Sequence, residues 1–468
     1  MKPIILNDNN NNKRFLYVQL YEAIKADILS GELPKGTKLP SLRLLSKDTG
    51  ISITTAELAY NQLLVEGYIF SKPQSGYYVS DITSSKIKKN YSSSGRDSAD
   101  SESNSINNFV FDEPPYIFDL SCFDFAKWKK CSTKVFNEYS HLLLFESDPQ
   151  GEAALRFEIS KYIYNSRGVN ASPEQIVISA GTQQISSHLS RILSKIGIRH
   201  VSLEAPGYLP VQSMFSDAGF TISHIPVEQD GIDISKLPTN IPSAVYVSPS
   251  NQFPTGAIMP VGKRYELLEW ADNNNSIIIE DDYDSELRYF GKPVPALRGL
   301  DKKGHVVYLG SFSSTLFPAV KISYMVLQDK MAEIFKNIKG QYTQTCSKSE
   351  QLTLAFFMEN GYYYTGIRRL RNLYSRKLQL TLQAFSYYGP DFVTPINTQS
   401  GINLTIKIRS RKTAEQLCES AKSIGMQMVP LSELTDQDTS ALIFYYSQLP
   451  LERIQPLVQK VINIWKTN

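Results

Sequence analysis

Between residues 15 and 30, Leu16, Leu20, Ile24 and Ile28 fall at four-residue steps, which lays one apolar stripe along a helix that Gly31 ends. After Leu33-Pro34-Lys35-Gly36 a second helix opens at Pro40-Ser41, with Ser41 as cap and Leu42, Leu44 and Leu45 as its contacts, and Gly50 closes it. A third opens within Ser52-Ile53-Thr54-Thr55-Ala56-Glu57. Thr54 and Glu57 have the spacing of a capping box, and Leu58, Leu63 and Leu64 are expected on the buried side. Tyr68-Ile69-Phe70 and Tyr77-Tyr78-Val79 are β-prone runs around Ser71-Lys72-Pro73-Gln74-Ser75-Gly76, the pattern of a hairpin.

Two short helices joined through Gly50 read as a helix-turn-helix, with the hairpin as its wing, which defines a small N-terminal domain over residues 1–80. Residues 81–115 lose all periodicity and carry nine serines between Thr83 and Asn108, so they are expected to be a flexible linker. From Tyr116 to residue 468 the pattern changes again. Strand-like runs at Gln175–Ile178, Val201–Leu203, Ala244–Val247, Ser276–Ile279 and His305–Leu309 alternate with helical patterns, which predicts an α/β domain with a mostly parallel, covered sheet. Sites in such sheets lie at the carboxyl ends of the strands.

Composition sharpens this only in part. A chain of 468 residues with 42% apolar residues supports more than one core. The formal charge is +3, and residues 1–80 carry nine basic against seven acidic side chains, so charge alone does not argue for nucleic acid. Cys122, Cys131, Cys346 and Cys418 have no metal-like or redox-like spacing and are expected as reduced thiols, with no metal site. No signal pattern or membrane-length apolar run is present, so the expectation is a cytoplasmic protein with no membrane partner.

The first domain resembles the GntR-type winged helix-turn-helix of bacterial transcription regulators. The resemblance is carried by Gly31-Glu32-Leu33, Gly36, Leu39-Pro40-Ser41-Leu42-Arg43, Ala59-Tyr60, Leu63, Glu66-Gly67 and Gly76-Tyr77. It implies binding to a double-stranded DNA operator. Ser52, Thr54 and Thr55 open the third helix, where exposed N–H groups and hydroxyls meet phosphates or base edges, and Ser41, Arg43 and Lys72 join the interface. Ile53 stands where that family often has arginine, and an apolar side chain can touch a thymine methyl but cannot read guanine.

Residues 116–468 resemble class I aminotransferases, enzymes of pyridoxal phosphate (PLP), and with the first domain the whole is similar to the MocR group of regulators. The motifs are Pro149-Gln150-Gly151, Gly181-Thr182-Gln183, Glu204-Ala205-Pro206-Gly207-Tyr208, Pro249–Gly256, Ile279–Glu286 and Gly310-Ser311-Phe312-Ser313. The resemblance implies a fold-type I domain in which Asp281 meets the pyridine nitrogen and Tyr208 stacks on the ring. It also assigns Gly181, Thr182, Ser311 and Ser313 to the phosphate, and Asn251 and Tyr283 to the ring hydroxyl. Three positions depart from it. Ser314 stands in place of the Schiff-base lysine, and Lys321 in place of a phosphate-binding arginine. Gln448 stands in place of the arginine that clamps a ligand carboxylate, forgoing a charge-assisted pair worth about 2–3 kcal/mol. The leading expectation is a regulator whose aminotransferase-like domain dimerises and senses a small-molecule effector without catalysis. The alternative is a regulator that holds PLP without a covalent bond, alone or joined to an amino compound. An active aminotransferase using a displaced lysine such as Lys321 comes third. The resemblance further implies a head-to-tail homodimer.

Overall fold

The computed structural model describes residues 16–72, 75–81, 116–117, 119–289, 295–396, 398–431 and 439–467. The chain divides into two compact units, residues 1–110 and 111–468. The expected linker lies, from residue 82 onward, outside the described residues.

The first unit contains α1 (Leu16–Ser30), α2 (Leu42–Thr49), α3 (Ile53–Val65) and an antiparallel hairpin of β1 (Ile69–Lys72) and β2 (Gly76–Val79). Its core gathers Leu20, Ile24 and Ile28 from α1, Leu45 from α2 and Tyr60 and Leu63 from α3. Two details of α3 differ from the sequence reading. The helix starts at Ile53, and its cap is Ser52, whose hydroxyl accepts the Thr55 N–H at 3.1 Å. Thr54 and Glu57 therefore fall inside the first turns and form no capping box. The buried stripe is Ala56, Ala59, Tyr60 and Leu63, at steps of three and four, which turns Leu58 outward to 50% exposure. Leu44 of α2 is likewise half exposed.

The second unit runs through α4 (Phe125–Glu138), α5 (Ala153–Arg167), β3 (Ile176–Ala180), α6 (Gly181–Lys195), β4 (His200–Ala205), α7 (Leu209–Asp217), β5 (Thr221–Glu228) and β6 (Gly231–Ile232). It continues with β7 (Ala244–Val247), α8 (Val261–Asn273), β8 (Ile277–Asp282), α9 (Leu297–Leu300), β9 (Val306–Ser311), β10 (Ile322–Val326) and α10 (Asp329–Ile338). Then come α11 (Lys348–Glu359), α12 (Tyr362–Tyr388), β11 (Val393–Pro395), β12 (Leu404–Arg409), α13 (Ala414–Lys422), β13 (Met428–Pro430), β14 (Thr439–Phe444) and α14 (Ile454–Lys466).

The large sheet has the order β3-β10-β9-β8-β7-β4-β5-β6. The pairs among β5, β4, β7, β8 and β9 are parallel, while β10 runs antiparallel to both β3 and β9 and β6 antiparallel to β5. Both faces are covered, which is why runs such as Ile277-Ile278-Ile279 are apolar without alternation. One face packs Leu203, Tyr246, Ile279 and Leu309 against Ile185 and Leu189 of α6, Phe215 of α7 and Phe335 of α10. The other face packs Val245, Ile278 and Val306 against Leu267 and Trp270 of α8, and Ile178 and Tyr324 against Leu155 of α5 and Phe357 of α11. A second, antiparallel sheet, β11-β12-β14-β13, is backed by α12, α13 and α14 through Leu378, Leu417 and Val461. Among the described residues no helix is long and apolar enough to cross a membrane. The four cysteines are free.

Candidate functional site

In the first unit the residues singled out from the sequence are all at the surface of the helix-turn-helix or its wing. Arg43 is exposed and has no ionic or hydrogen-bonding partner among the described residues. Ser41 and Ser52 spend their hydroxyls as helix caps, accepting the N–H groups of Leu44 and Thr55. Ser52 also pairs with the Thr55 hydroxyl at 2.7 Å, so of the three hydroxyls at the start of α3 only that of the exposed Thr54 is uncommitted. On the hairpin, the Lys72 ammonium lies 4.8 Å from the centre of the Tyr78 ring, and Tyr78 stacks on Phe70. Sequence reasoning missed Lys38, which bridges to Tyr78 as an added strand position and brings a second ammonium 6.0 Å from the same ring. The signal was a lysine just before the Leu39-Pro40-Ser41 motif.

In the second unit one end of the large sheet collects the rest. Because β10 is antiparallel, its first residue Ile322 sits opposite Ala180, and Ser323 sits opposite Ser311. The start of α6, the turn after β9 and Lys321 therefore meet at the same edge. The carboxyl ends of β8, β7 and β4 bring Asp281, the Asn251 loop and the Tyr208 loop to that edge as well. Gly181 has φ +80°, a left-handed conformation that lets β3 turn into α6 within one residue, with the helix N–H groups facing the edge. The Thr182 and Ser313 hydroxyls have no partner among the described residues, whereas the Ser311 hydroxyl accepts from Ser313 N–H and Ser323. Lys321 is exposed and has no acidic partner among the described residues.

Asp281 shares a sheet face with Ile279 and Tyr246, and the Tyr246 hydroxyl donates to its Oδ2 at 2.6 Å. Its other oxygen has no partner among the described residues, and burial pushes the carboxyl up to about 7 against the pull of that hydrogen bond. Its neighbours face the other way and are structural. Glu280 accepts the Leu297 and Arg298 N–H groups that start α9, and Asp282 accepts from Arg167 at 2.7 Å and from the Tyr308 hydroxyl. Tyr283 donates to the Asn251 carbonyl at 3.1 Å, and the Asn251 amide is held by Asp284 at 2.7 Å and by Ser400. Tyr208 remains 43% exposed, with Phe253 edge-on beside it.

Ser314 is half-buried in the turn closed by the Thr315 N–H on the Phe312 carbonyl, and its hydroxyl has no partner among the described residues. Gln448 lies on the turn after β14, where its carbonyl accepts the Asp119 N–H at 2.6 Å and its side-chain oxygen is buried without a partner. The adjoining Ser447 carbonyl accepts from the fully buried Lys377 ammonium, which pairs with Asp119 at 2.8 Å. Near that strand end Tyr445 is the residue electrostatically linked to Tyr208 and Tyr283. Sequence reasoning missed Tyr445 and Tyr246; the first is one of the adjacent pair Tyr445-Tyr446 after β14 and the second a single tyrosine within β7, and neither signal says which face the ring takes.

Residues 16–79 match the family "Bacterial regulatory proteins, gntR family", and residues 126–418 match "Aminotransferase class I and II". The chain is similar to the HTH-type transcriptional regulator YdeL of Bacillus subtilis, 38% identical with 89% of each chain covered. It is similar to the probable rhizopine catabolism regulatory protein MocR of Rhizobium meliloti, 33% identical over 89% of this chain and 86% of that one. It is also 29% identical to the pyridoxine biosynthesis transcriptional regulator PdxR of Corynebacterium glutamicum, with 84% of each covered. Among solved structures, the multiple substrate aminotransferase of Thermococcus profundus superposes with a TM-score of 0.64 at 23% identity, over 75% of this chain and 89% of that one, which shows the fold.

Proposed function

This chain belongs to the gntR family of bacterial regulators, in the MocR-type group of helix-turn-helix transcription regulators that carry an aminotransferase class I and II domain, and we propose that its second unit senses a ligand without transaminating. The observation that carries this reading is Ser314. At the turn where the resemblance expects an amine, the chain offers a hydroxyl, which cannot link covalently to an aldehyde through nitrogen or relay a proton as an amine does.

The donor set still fits PLP held without a covalent bond. Asp281 has a free carboxylate oxygen for a ring N–H, Tyr208 offers an uncovered face, and the start of α6 at Gly181-Thr182 offers N–H and hydroxyl donors for a phosphate. Ser311, Ser313 and Lys321 add donors beside it, and Tyr283 with Asn251 closes the remaining side. When bound, the cofactor supplies an electron sink. The free oxygen of Asp281 favours PLP, alone or joined to an amino compound, as the effector over an empty pocket. Gln448 leaves a ligand carboxylate without a cationic clamp.

The first unit binds a double-stranded DNA operator through Arg43, Lys72, Thr54 and the capped starts of α2 and α3. A homodimer, head-to-tail in arrangement, is supported by large apolar side chains left at the surface of the second unit, Leu120 at 85%, Leu144 at 84% and Phe145 at 69% exposure. The protein acts in the cytoplasm, where its operator is. Visible absorbance of the purified protein titrated with PLP, read beside a mobility shift of the DNA upstream of its own gene, tests the whole. The reading fails if PLP with an amino acid yields pyridoxamine phosphate faster than in protein-free solution.

A further inference from the structure

Beside the sheet-end cleft, the second unit has a cavity of about 70 Å³ between the Cys122–Lys127 segment, the Thr315-Leu316 turn, the end of α11 and the first turns of α12. None of the cofactor-site residues named above lines it. One wall is apolar, with Phe123 and Phe357 tilted against each other at 5.8 Å and Tyr362, Leu316 and Leu370 completing it.

The charge at this cavity is uneven. Asp124 is already committed, since Oδ1 accepts the Lys127 N–H as the cap of α4 and Oδ2 lies 3.3 Å from the Lys127 ammonium. The exposed Arg369 gives one N–H to the Cys122 carbonyl at 3.1 Å and, among the described residues, has no acidic partner within salt-bridge distance. A guanidinium pinned by one bond keeps the rest of its fork oriented for an anion. Two cations against one carboxylate leave a single net positive charge beside an aromatic wall.

We propose that this cavity binds a small monocarboxylate with a short apolar tail, its carboxylate on Arg369 and its tail against Phe123 and Phe357. The size sets the class, because an apolar cavity of about 150 Å³ takes the six carbons of a benzene, so about 70 Å³ takes a tail of two or three carbons with the carboxylate at the mouth on the exposed Arg369. One net charge selects a monoanion over phosphate. The site is separate from the cleft in which the effector reading places its ligand, yet it adjoins it. Thr315, in the cavity wall, shares a 2.9 Å hydroxyl contact with Tyr363 and closes the turn that carries Ser313 and Ser314.

The test is calorimetric titration of the full chain with sodium propionate, with sodium chloride at equal ionic strength as the blank. Saturable binding is expected, at least tenfold weaker in Arg369→Gln. Gly366 offers an independent block. It lines the cavity inside α12, and a Cβ built there meets nothing within 4 Å, so Gly366→Leu can fill the space while improving helix propensity. Binding should vanish in that variant with the circular dichroism unchanged. Asp281→Asn should leave the propionate affinity within twofold. The proposal is overturned if propionate gives no saturable heat, if Arg369→Gln and Gly366→Leu both bind as the natural chain does, or if Asp281→Asn alone abolishes the signal. The last result would place propionate in the cleft and leave the PLP reading standing.

Discussion

Tyr246 donates its hydroxyl to Asp281 across 2.6 Å from the adjacent parallel strand, and among the described residues this is the carboxyl's one hydrogen bond. The bond holds the side chain in place but does not offset burial, which leaves the carboxyl titrating near 7. An acid whose folded pKa is raised binds its proton more tightly folded than unfolded. Its contribution is therefore most favourable at low pH and is lost as pH climbs from about 4 to about 7. Asp281→Asn removes the charge and keeps an acceptor for Tyr246. The ligand-free variant should be about 1–3 kcal/mol more stable than the natural chain at pH 8 and no more stable at pH 4, by urea denaturation. The same variant should lose PLP affinity at least tenfold.

Placing an amine at residue 314 should create a covalent anchor. Ser314→Lys, incubated with PLP and reduced with borohydride, should carry the cofactor on residue 314 by peptide mass mapping, whereas the natural chain should show no single labelled lysine. Stoichiometric labelling of one lysine in the natural chain would remove Ser314 from the argument. Adding Gln448→Arg should improve amino-acid binding beyond either change alone, a coupling that a double-mutant cycle measures.

Arg43→Ala should weaken operator binding in proportion for every sequence tried and lower the slope of log affinity against log salt by about 1, as expected for one lost phosphate contact. A change in sequence preference with an unchanged salt slope would mean that Arg43 reads bases instead.

The two leucines of α3 should separate cleanly. Leu63 is fully buried, and Leu63→Ala should cost the first unit about 2–5 kcal/mol, while Leu58→Ala, at a half-exposed position, should stay within about 0.5 kcal/mol by thermal denaturation.

What the sequence made legible follows from periodicity. The α1 stripe of Leu20, Ile24 and Ile28 is buried as its four-residue steps require, and the runs containing Ile277-Ile278-Ile279 and Val306-Val307 are strands of a covered, mostly parallel sheet. Leu58 and the misplaced capping box have separate causes. Ser52 and Thr54 are both cap-forming types two residues apart, and Leu58 lies five residues, about 140°, from Leu63, so it cannot share the stripe of Ala56, Ala59, Tyr60 and Leu63. In the second unit, residue type pointed to Asp281 but not to Tyr246, because a strand's two faces are both apolar here and alternation does not reveal which side a tyrosine takes. Gln448 and Tyr445 are three positions apart, and only the turn after β14 decides that the first meets Asp119 while the second neighbours Tyr208.

The antiparallel placement of β10 between β3 and β9 has a consequence for how the chain acquires its cleft. Gly181 and Lys321 become neighbours only after everything between residues 181 and 321 has been made and threaded into the sheet. Until then β3 has no neighbour in the sheet, and the start of α6 and the turn after β9 have not been brought together. Contacts of such sequence separation raise the contact order and slow folding, since loop closure is met before any pairing offsets it. A ribosome-bound chain that stops short of Val326 therefore exposes β3 as a sticky edge, and the ligand-competent state arrives late in synthesis and as a whole.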